Sequence, residues 1–329
     1  MRILVTGGAG FIGSNFVRLS LATRPEVSVT VLDKMTYAAN PENLEGLSPS
    51  RMRLIEGDVC DAELVDRLVA GSDLVVHFAA ESHNDRSLAS PEAFLATNVE
   101  GTVNLASACV RHGVRLHHIS TDEVFGDLPL GTDEAFDAHT PYRPSSPYSA
   151  SKAAADHFVR AWVRSFGLQA TISNCSNNYG PRQHPEKFIP RQILRLLGGK
   201  RPRIYGEGTN VRDWIHVDDH NAAVWQIIEC GELGQTYLIG ADGQADNRRV
   251  VAVLNRIFGR DPEDFEQVAD RPGHDVRYAI DASSTRALGW RPQHVDLEEG
   301  LKETVGWYRA NPGWWWDAFA RSEAFYGDN

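Results

Sequence analysis

The sequence predicts an α/β fold, a doubly wound parallel sheet joined to a smaller mixed α/β lobe toward the C-terminal end. Two observations carry the sheet. Over residues 1–180, short β-branched or apolar runs alternate with longer segments of helical period, the signature of βα units. Those short runs are β-branched or apolar, so both faces of the sheet should be covered. A third observation carries the lobe: beyond residue 180 the alternation breaks down into short pieces punctuated by Pro and Gly.

The predicted elements follow in order. The first strand is Arg2–Thr6, and the run Gly7-Gly8-Ala9-Gly10-Phe11-Ile12-Gly13 turns it directly into a helix over 11–22. Strands are expected at 27–32, 52–56, 74–78, 116–120 and 170–174, each ending in small, polar or acidic residues where a ligand crevice forms. Between them, helices are expected at 63–69, 91–112 and 149–166, with Pro147 as the N-terminal signal of the last. In the second lobe, residues 181–329, helical stretches are expected at 221–230, 248–258 and 297–308. The cut at 180 is coarse, because connections can cross between lobes more than once. The Trp314-Trp315-Trp316 run reads as a C-terminal helix or tail that caps the core or a partner subunit.

Composition narrows the function classes. The 329 residues are 42% hydrophobic and 23% charged, and their net charge of −11 disfavours nucleic acid and anionic membrane as partners. No run approaches the ~18 apolar residues of a membrane span. Met1 leads at once into a strand too short for a signal-peptide core, so a cytoplasmic address is expected. Cys60, Cys109, Cys175 and Cys230 show no CxxC spacing; they read as buried thiols, with neither a disulfide framework nor a metal site expected. An anionic ligand would be repelled by the overall field and must be held locally, by helix N-termini and individual cations.

The glycine run supplies one such device. Gly7, Gly10 and Gly13 stand in GxxGxxG spacing between a strand and a helix, the context of a Rossmann-like dinucleotide site. Asp33 ends the second strand 20 residues after Gly13, where a carboxylate binds both ribose hydroxyls and repels a 2′-phosphate, so NAD is expected over NADP. Lys34 beside it weakens that preference slightly. Asp58-Val59 and Phe78-Ala79-Ala80 close the third and fourth strands, an acid near an adenine edge and small residues where a cofactor passes close.

Tyr148 and Lys152 stand at i and i+4, neighbours on one helix face. A phenol with an ordinary pKa of about 10 becomes a base at neutral pH only beside cationic charge, which a lysine one turn away and the positive end of nicotinamide would supply. The fifth strand ends Ser120-Thr121-Asp122-Glu123. Two carboxylates beside a hydroxyl exceed the needs of alcohol oxidation, but suit a reaction that removes a proton from carbon and delivers one to a departing hydroxide.

Taken together, the glycine loop, Asp33-Lys34-Met35-Thr36-Tyr37, Ala79-Ala80-Glu81-Ser82-His83, Ser120–Val124, Tyr148–Lys152, Asn177-Asn178-Tyr179-Gly180-Pro181 and Asp270-Arg271-Pro272-Gly273-His274 resemble the extended short-chain dehydrogenase/reductases. Within them, the chain is similar to the dTDP-glucose 4,6-dehydratases over essentially its whole length. The Thr121-Asp122-Glu123 triplet discriminates, since related epimerases carry small or hydroxyl residues there. The resemblance implies that Tyr148, aided by Thr121 and Lys152, takes the 4-hydroxyl proton, that Glu123 removes the C5 proton, and that protonated Asp122 donates to the departing 6-hydroxyl. For NAD it implies Phe11, Ile12, Asp33, Lys34, Met35, Thr36, Asp58, Val59, Phe78, Ala79, Ala80, Glu81, Ser82, Thr97, Tyr148, Lys152 and Asn178. For the nucleotide-sugar substrate, dTDP-glucose, it implies Ser82, Thr121, Asn177, Lys187, Phe188, Ile189, Pro190, Arg191, Gln192, Arg203, Ile204, Tyr205, Arg212, Asn247, Asp270, Arg271, Pro272, Gly273 and His274. Lys187, Arg203, Arg212 and Arg271 are the cations it offers for phosphate or base. It also implies a homodimer joined through the helices at 91–112 and 149–166.

The chain departs from the pattern at Phe125, where a tyrosine is usual, and at Ala39, where glycine is common. Arg191 and Arg203 carry more charge than expected, which leaves thymine or uracil open as the base. Two other functions stand against this reading: a UDP-sugar 4-epimerase or decarboxylase on the same scaffold, and a non-catalytic NAD-binding regulator. The intact Tyr148/Lys152 pair and the acid pair speak against the regulator.

Overall fold

The computed structural model describes residues 1–270 and 274–326. Seven parallel strands form the main sheet: β1 (Arg2–Thr6), β2 (Ser28–Asp33), β3 (Met52–Glu56), β4 (Leu74–His77), β5 (Arg115–Thr121), β6 (Ala170–Cys175) and β10 (Thr236–Ile239). Their spatial order is β10-β6-β5-β4-β1-β2-β3, so the direction of winding reverses beside β1 and the crevice opens at the carboxyl ends there. Helices cover both faces, as the apolar strands require. On one side, α1 (Phe11–Thr23) packs on α8 (Val217–Cys230), with Phe16 stacked on Trp225 at 5.3 Å. On the other lie α2 (Ala62–Ala70), α5 (Gly101–His112) and α6 (Pro147–Phe166), burying Val65, Leu105 and Val159.

The long helix expected at 91–112 is interrupted. A short α3 (Asn84–Ala89) and α4 (Pro91–Phe94) lead into a π-helical segment, Leu95–Glu100, before α5. The widened turn re-aims two side chains that the site uses.

The second lobe is built from β7 (Asn177–Tyr179), β8 (Arg203–Tyr205), β9 (Val211–His216), β11 (Gln244–Asp246) and β12 (Glu266–Val268). These make a mixed sheet, β11-β9-β7, and a parallel pair, β12-β8. They pack with α7 (Phe188–Leu197), α9 (Asn247–Ile257), α11 (Leu297–Ala310) and α12 (Pro312–Tyr326) around a third core that includes Tyr179, Trp214 and Tyr308. The chain crosses between the lobes: α8 and β10, both beyond residue 180, belong to the main sheet. In the tryptophan run, Trp314 donates to Asn43 Oδ1 at 2.8 Å and Trp315 is buried on Tyr308, whereas Trp316 is exposed. Among the described residues no helix is long and apolar enough to cross a membrane.

The cysteines correct one expectation. Cys109 and Cys175 are buried, Cys60 is half-buried, and Cys230 is exposed because it sits in the last turn of α8.

Candidate active site

Two adjoining cavities, of about 300 and 570 Å³, run across the carboxyl edge of the sheet and share Ser82, Glu123, Asn177, Asn178 and Lys187. The glycine loop walls the first. Gly7 adopts φ +70°, and a Cβ there would lie 2.6 Å from the backbone nitrogen of Ala79; at Gly13 it would lie 2.3 Å from Gly7 O. Backbone therefore packs on backbone and leaves a cradle that side chains would fill. Gly10 N-caps α1 without a side chain, so the positive end of the helix faces the cavity uncapped.

Asp33 ends β2 nearly buried, with Oδ2 accepting from Ala9 N at 2.9 Å and Oδ1 from Met35 N at 3.0 Å. Burial raises its carboxyl above the usual range while the two amide bonds act against that. Lys34 reaches to Asp58, Nζ to Oδ2 at 2.7 Å, so its charge is engaged by an acid of the same cavity. The π-helical segment turns Thr97 into the cavity wall. Neighbouring Asn98 is buried, binding Glu81 N at 2.8 Å, Glu81 O at 2.9 Å and Ser151 Oγ at 2.8 Å. The cradle, the ribose-height carboxylate and the uncapped helix fit NAD; they would hold its pyrophosphate and adenosine ribose.

The catalytic candidates meet at the end of β5. The strand stops at Thr121 and the chain turns through a 3₁₀ segment, Asp122–Phe125, with Thr121 Oγ accepting from Glu123 N at 3.3 Å. That bend brings two adjacent acids, which a regular strand would point to opposite faces, to one cavity. Asp122 is 1% exposed; its Oδ1 accepts from the Thr121 hydroxyl at 3.2 Å and its Oδ2 has no partner among the described residues. Burial, followed by the charges of Glu123 and Asp213, pushes its carboxyl well above the usual range, against the pull of Arg212. Glu123 is half-buried and accepts from Asn84 Nδ2 at 2.9 Å.

Tyr148 and Lys152 sit on the first turns of α6, which begins with a capping box between Ser146 and Ser149 and has Pro147 in its first turn. Their relation differs from the expectation. Lys152 Nζ donates to Ile119 O at 2.7 Å, and burial lowers its pKa while Asp156 supports its charge. Burial, then Glu123 and Cys175, push the phenol of Tyr148 well above its usual value, and its hydrogen bond with Thr121 acts the other way. Asp156 lies one turn beyond Lys152, fully buried. It accepts from His118 Nε2 at 3.1 Å, Ser120 Oγ at 2.8 Å, Tyr142 Oη at 2.7 Å and Asn174 Nδ2 at 3.2 Å. Because His118 and Ser120 flank Ile119, this carboxylate pins the strand that presents the lysine's acceptor.

Of the residues expected for substrate, Ser82, Asn177, Lys187, Phe188, Ile189, Arg191, Gln192, Arg203, Tyr205, Arg212, Asn247 and His274 line the second cavity, and Thr121 the first. Pro190 and Ile204 are buried and line neither, because α7 and β8 each turn only one face to the cavity. Asp270 does not line it either; its carboxylate meets His274 Nδ1 at 2.8 Å. Among cofactor positions, Met35 packs against the core with φ 54° and does not line the cleft. Arg271, Pro272 and Gly273 lie outside the described residues. The cations are engaged by protein groups: Arg203 with Glu266 at 2.9 Å, Arg191 with Glu323 at 2.9 Å, Lys187 with Ser82 O at 2.8 Å, and Arg212 with Asp275 O at 2.9 Å.

Several lining residues carry no periodic or motif signal and were not anticipated, among them Asn84, Glu186, Trp214 and Tyr278. Adjacency was the available clue, since Asn84 follows the Ala79–His83 motif and Glu186 precedes Lys187. At the departures from the family pattern, Phe125 stacks on Phe136 in the core at 5.1 Å, and Ala39 lines the first cavity. Among the described residues, His216, His294 and Glu303 bring three potential metal-ligand atoms within 4.8 Å. The two imidazoles are stacked at 3.9 Å, and both nitrogens of His294 face carboxylates, Asp219 at 3.1 Å and Glu303 at 3.6 Å.

Comparison with known proteins decides the family. The family model for GDP-mannose 4,6 dehydratase matches residues 4–304. A dTDP-glucose 4,6-dehydratase of Mycolicibacterium smegmatis is 60% identical over 316 residues, 96% of this chain and 95% of that protein. The chain belongs to the dTDP-glucose 4,6-dehydratase family. A family structure from Streptomyces venezuelae, solved with NAD and TYD bound, superposes with a TM-score of 0.92 at 46% identity, covering 97% of this chain and 100% of that one. A UDP-glucose 4-epimerase of Thermotoga maritima solved with UDP-glucose reaches 0.87 at only 29% identity, over 95% of this chain and all of that one. The epimerases therefore share the scaffold of the dTDP-glucose 4,6-dehydratase family, and sequence separates them from it.

Proposed function

We propose that the protein catalyses NAD-dependent dehydration of dTDP-glucose to dTDP-4-keto-6-deoxyglucose. The observation that carries this reading is the pair of adjacent acids, Asp122 and Glu123, turned into the cavity that Tyr148 and Lys152 also line. NAD held by the Gly7–Gly13 loop, the α1 N-terminus and Asp33 would supply the hydride acceptor for C4 and the donor for C6, with no net change of cofactor. Tyr148, hydrogen-bonded to Thr121, takes the 4-hydroxyl proton; its raised pKa means that cationic charge from cofactor and lysine is needed for this step. The new 4-keto group acidifies C5. Glu123 then removes the C5 proton, and Asp122, kept protonated by burial, gives its proton to the 6-hydroxyl, which leaves as water. Glu123 gives its proton back to C5 as C6 is reduced, and the proton taken up by Tyr148 passes through solvent to replace the one Asp122 gave to water.

Cations of the second lobe and the α1 N-terminus support binding of the diphosphates against a net charge of −11. The proposal includes a homodimer in the cytoplasm, joined through the helices at 91–112 and 149–166, which expose Leu95, Phe158 and Phe166.

Purified protein with dTDP-glucose and no added reductant is expected to give product lighter by one water in mass spectrometry. Product of unchanged mass would indicate epimerisation and overturn the reading; loss of carbon dioxide would indicate decarboxylation. Glu123→Gln is expected to reduce bound NAD but to lose water on the order of 10²-fold to 10⁴-fold more slowly. Equal loss of both steps would remove Glu123 from the C5 role.

A further inference from the structure

We infer that Asn84 is the positioning residue for the C5 base, and that Glu123 Oε1 is the oxygen that takes the proton. This rests on the role proposed for Glu123. Asn84 opens α3 and lines the second cavity where Glu123 joins it to the first. Its Nδ2 donates to Glu123 Oε2 at 2.9 Å, and its Oδ1 accepts from Ser146 Oγ at 2.9 Å. The amide is thereby held in one sense. Ser146 Oγ accepts from Ser149 N at 3.1 Å as the cap of α6, stands 2.9 Å from Ser149 Oγ, and donates to Asn84 Oδ1. With Oδ1 so engaged, only the NH₂ edge faces the carboxylate, which itself has no hydrogen to offer.

The consequence is directional. Oε2 is tied down, whereas Oε1 accepts no hydrogen bond among the described residues and is the oxygen left to receive a proton. The same amide also couples the base to the first turn of α6, two residues ahead of Tyr148. Oxidation at C4 and proton removal at C5 must act on neighbouring carbons of one sugar ring, so a single side chain that sets the spacing of Glu123 from the Tyr148 helix bears on the second step and not the first. Asn84 itself moves no proton.

Asn84→Leu, close to asparagine in size and unable to hydrogen-bond, tests this in the full-length protein with NAD and dTDP-glucose. Release of a hydrogen bond to a charged group predicts water loss on the order of 10-fold to 100-fold slower. Exchange of the C5 hydrogen with solvent deuterium, read by mass spectrometry, should slow equally. The C4 step should keep its rate, so the near-ultraviolet absorbance of reduced nicotinamide accumulates while KM stays and kcat falls. If Asn84→Leu fails to fold, Asn84→Asp decides, because it keeps the bond to Ser146 and turns an acceptor toward Glu123; the same trapping is expected. Parallel loss of both steps, or no loss of either, overturns the inference. Glu123→Gln run alongside separates the two readings. If it does not trap reduced cofactor, the role of Glu123 falls; if it does and the Asn84 variants do not, only the role of Asn84 falls.

Discussion

Gly7 and Lys152 show how much a single position can decide at the residue scale. At Gly7 the left-handed backbone and the 2.6 Å approach to Ala79 N act together, so no rotamer change can relieve an added methyl. Gly7→Ala is expected to cost about 1–3 kcal/mol and to displace the loop that walls the cofactor cavity. In thermal melts the variant should have a lower Tm, and saturating NAD should raise that Tm less than it raises the wild type's. Lys152 carries the opposite lesson. Its i,i+4 spacing to Tyr148 was legible, but not that its Nζ donates to Ile119 O, which anchors the ammonium at the end of β5. Spacing on a helix says which side chains share a face; it does not say which buried carbonyl fixes where the charge sits.

At the scale of elements, the site depends on two irregularities in otherwise regular structure. The 3₁₀ turn after β5 lets consecutive acids share a cavity, and the π-helical segment ahead of α5 presents Thr97 and Asn98. Both were invisible to a periodicity argument, which assumes ideal elements. Strand β9 yields a further test. Asp213 on it is almost fully buried, and burial raises its carboxyl to about 6, although Gly243 N donates to Oδ1 at 2.7 Å. A folded-state pKa raised above the ordinary 3.8 means that the unfolded chain releases this proton first. Stability is therefore lost as pH rises from about 4 to about 6 and is level above that. The loss amounts to roughly 3 kcal/mol at 1.36 kcal/mol per unit. Relative to wild type, Asp213→Asn should gain stability across that window in urea melts; a difference constant with pH would refute the assignment.

At the scale of the whole molecule, the proposed dimer rests on the segments at 91–112 and 149–166, where Leu95, Phe158 and Phe166 are exposed. Leu95→Asp combined with Phe158→Asp should convert a dimer to monomers in sedimentation analysis, because charge at the centre of an apolar interface cannot be desolvated without a partner. A wild type that sediments as a monomer would end the dimer proposal. The same scale explains the acidic balance. Asp33, Asp122 and Glu123 line the first cavity, while Lys187, Arg191, Arg203 and Arg212 line the second, each of these four bonded to a protein oxygen. By itself the sequence determined the parallel sheet and marked out the glycine loop and the Thr121-Asp122-Glu123 and Tyr148–Lys152 motifs as candidates, because those follow from local periodicity and from short motifs that turn within a few residues. Tertiary structure alone decided that α8 and β10 return to the first sheet, that Asn84 and Glu186 join the cavity, and that Pro190, Ile204 and Met35 turn away from it. Those outcomes depend on contacts between segments tens of residues apart, whose burial and hydrogen-bond partners no local pattern records.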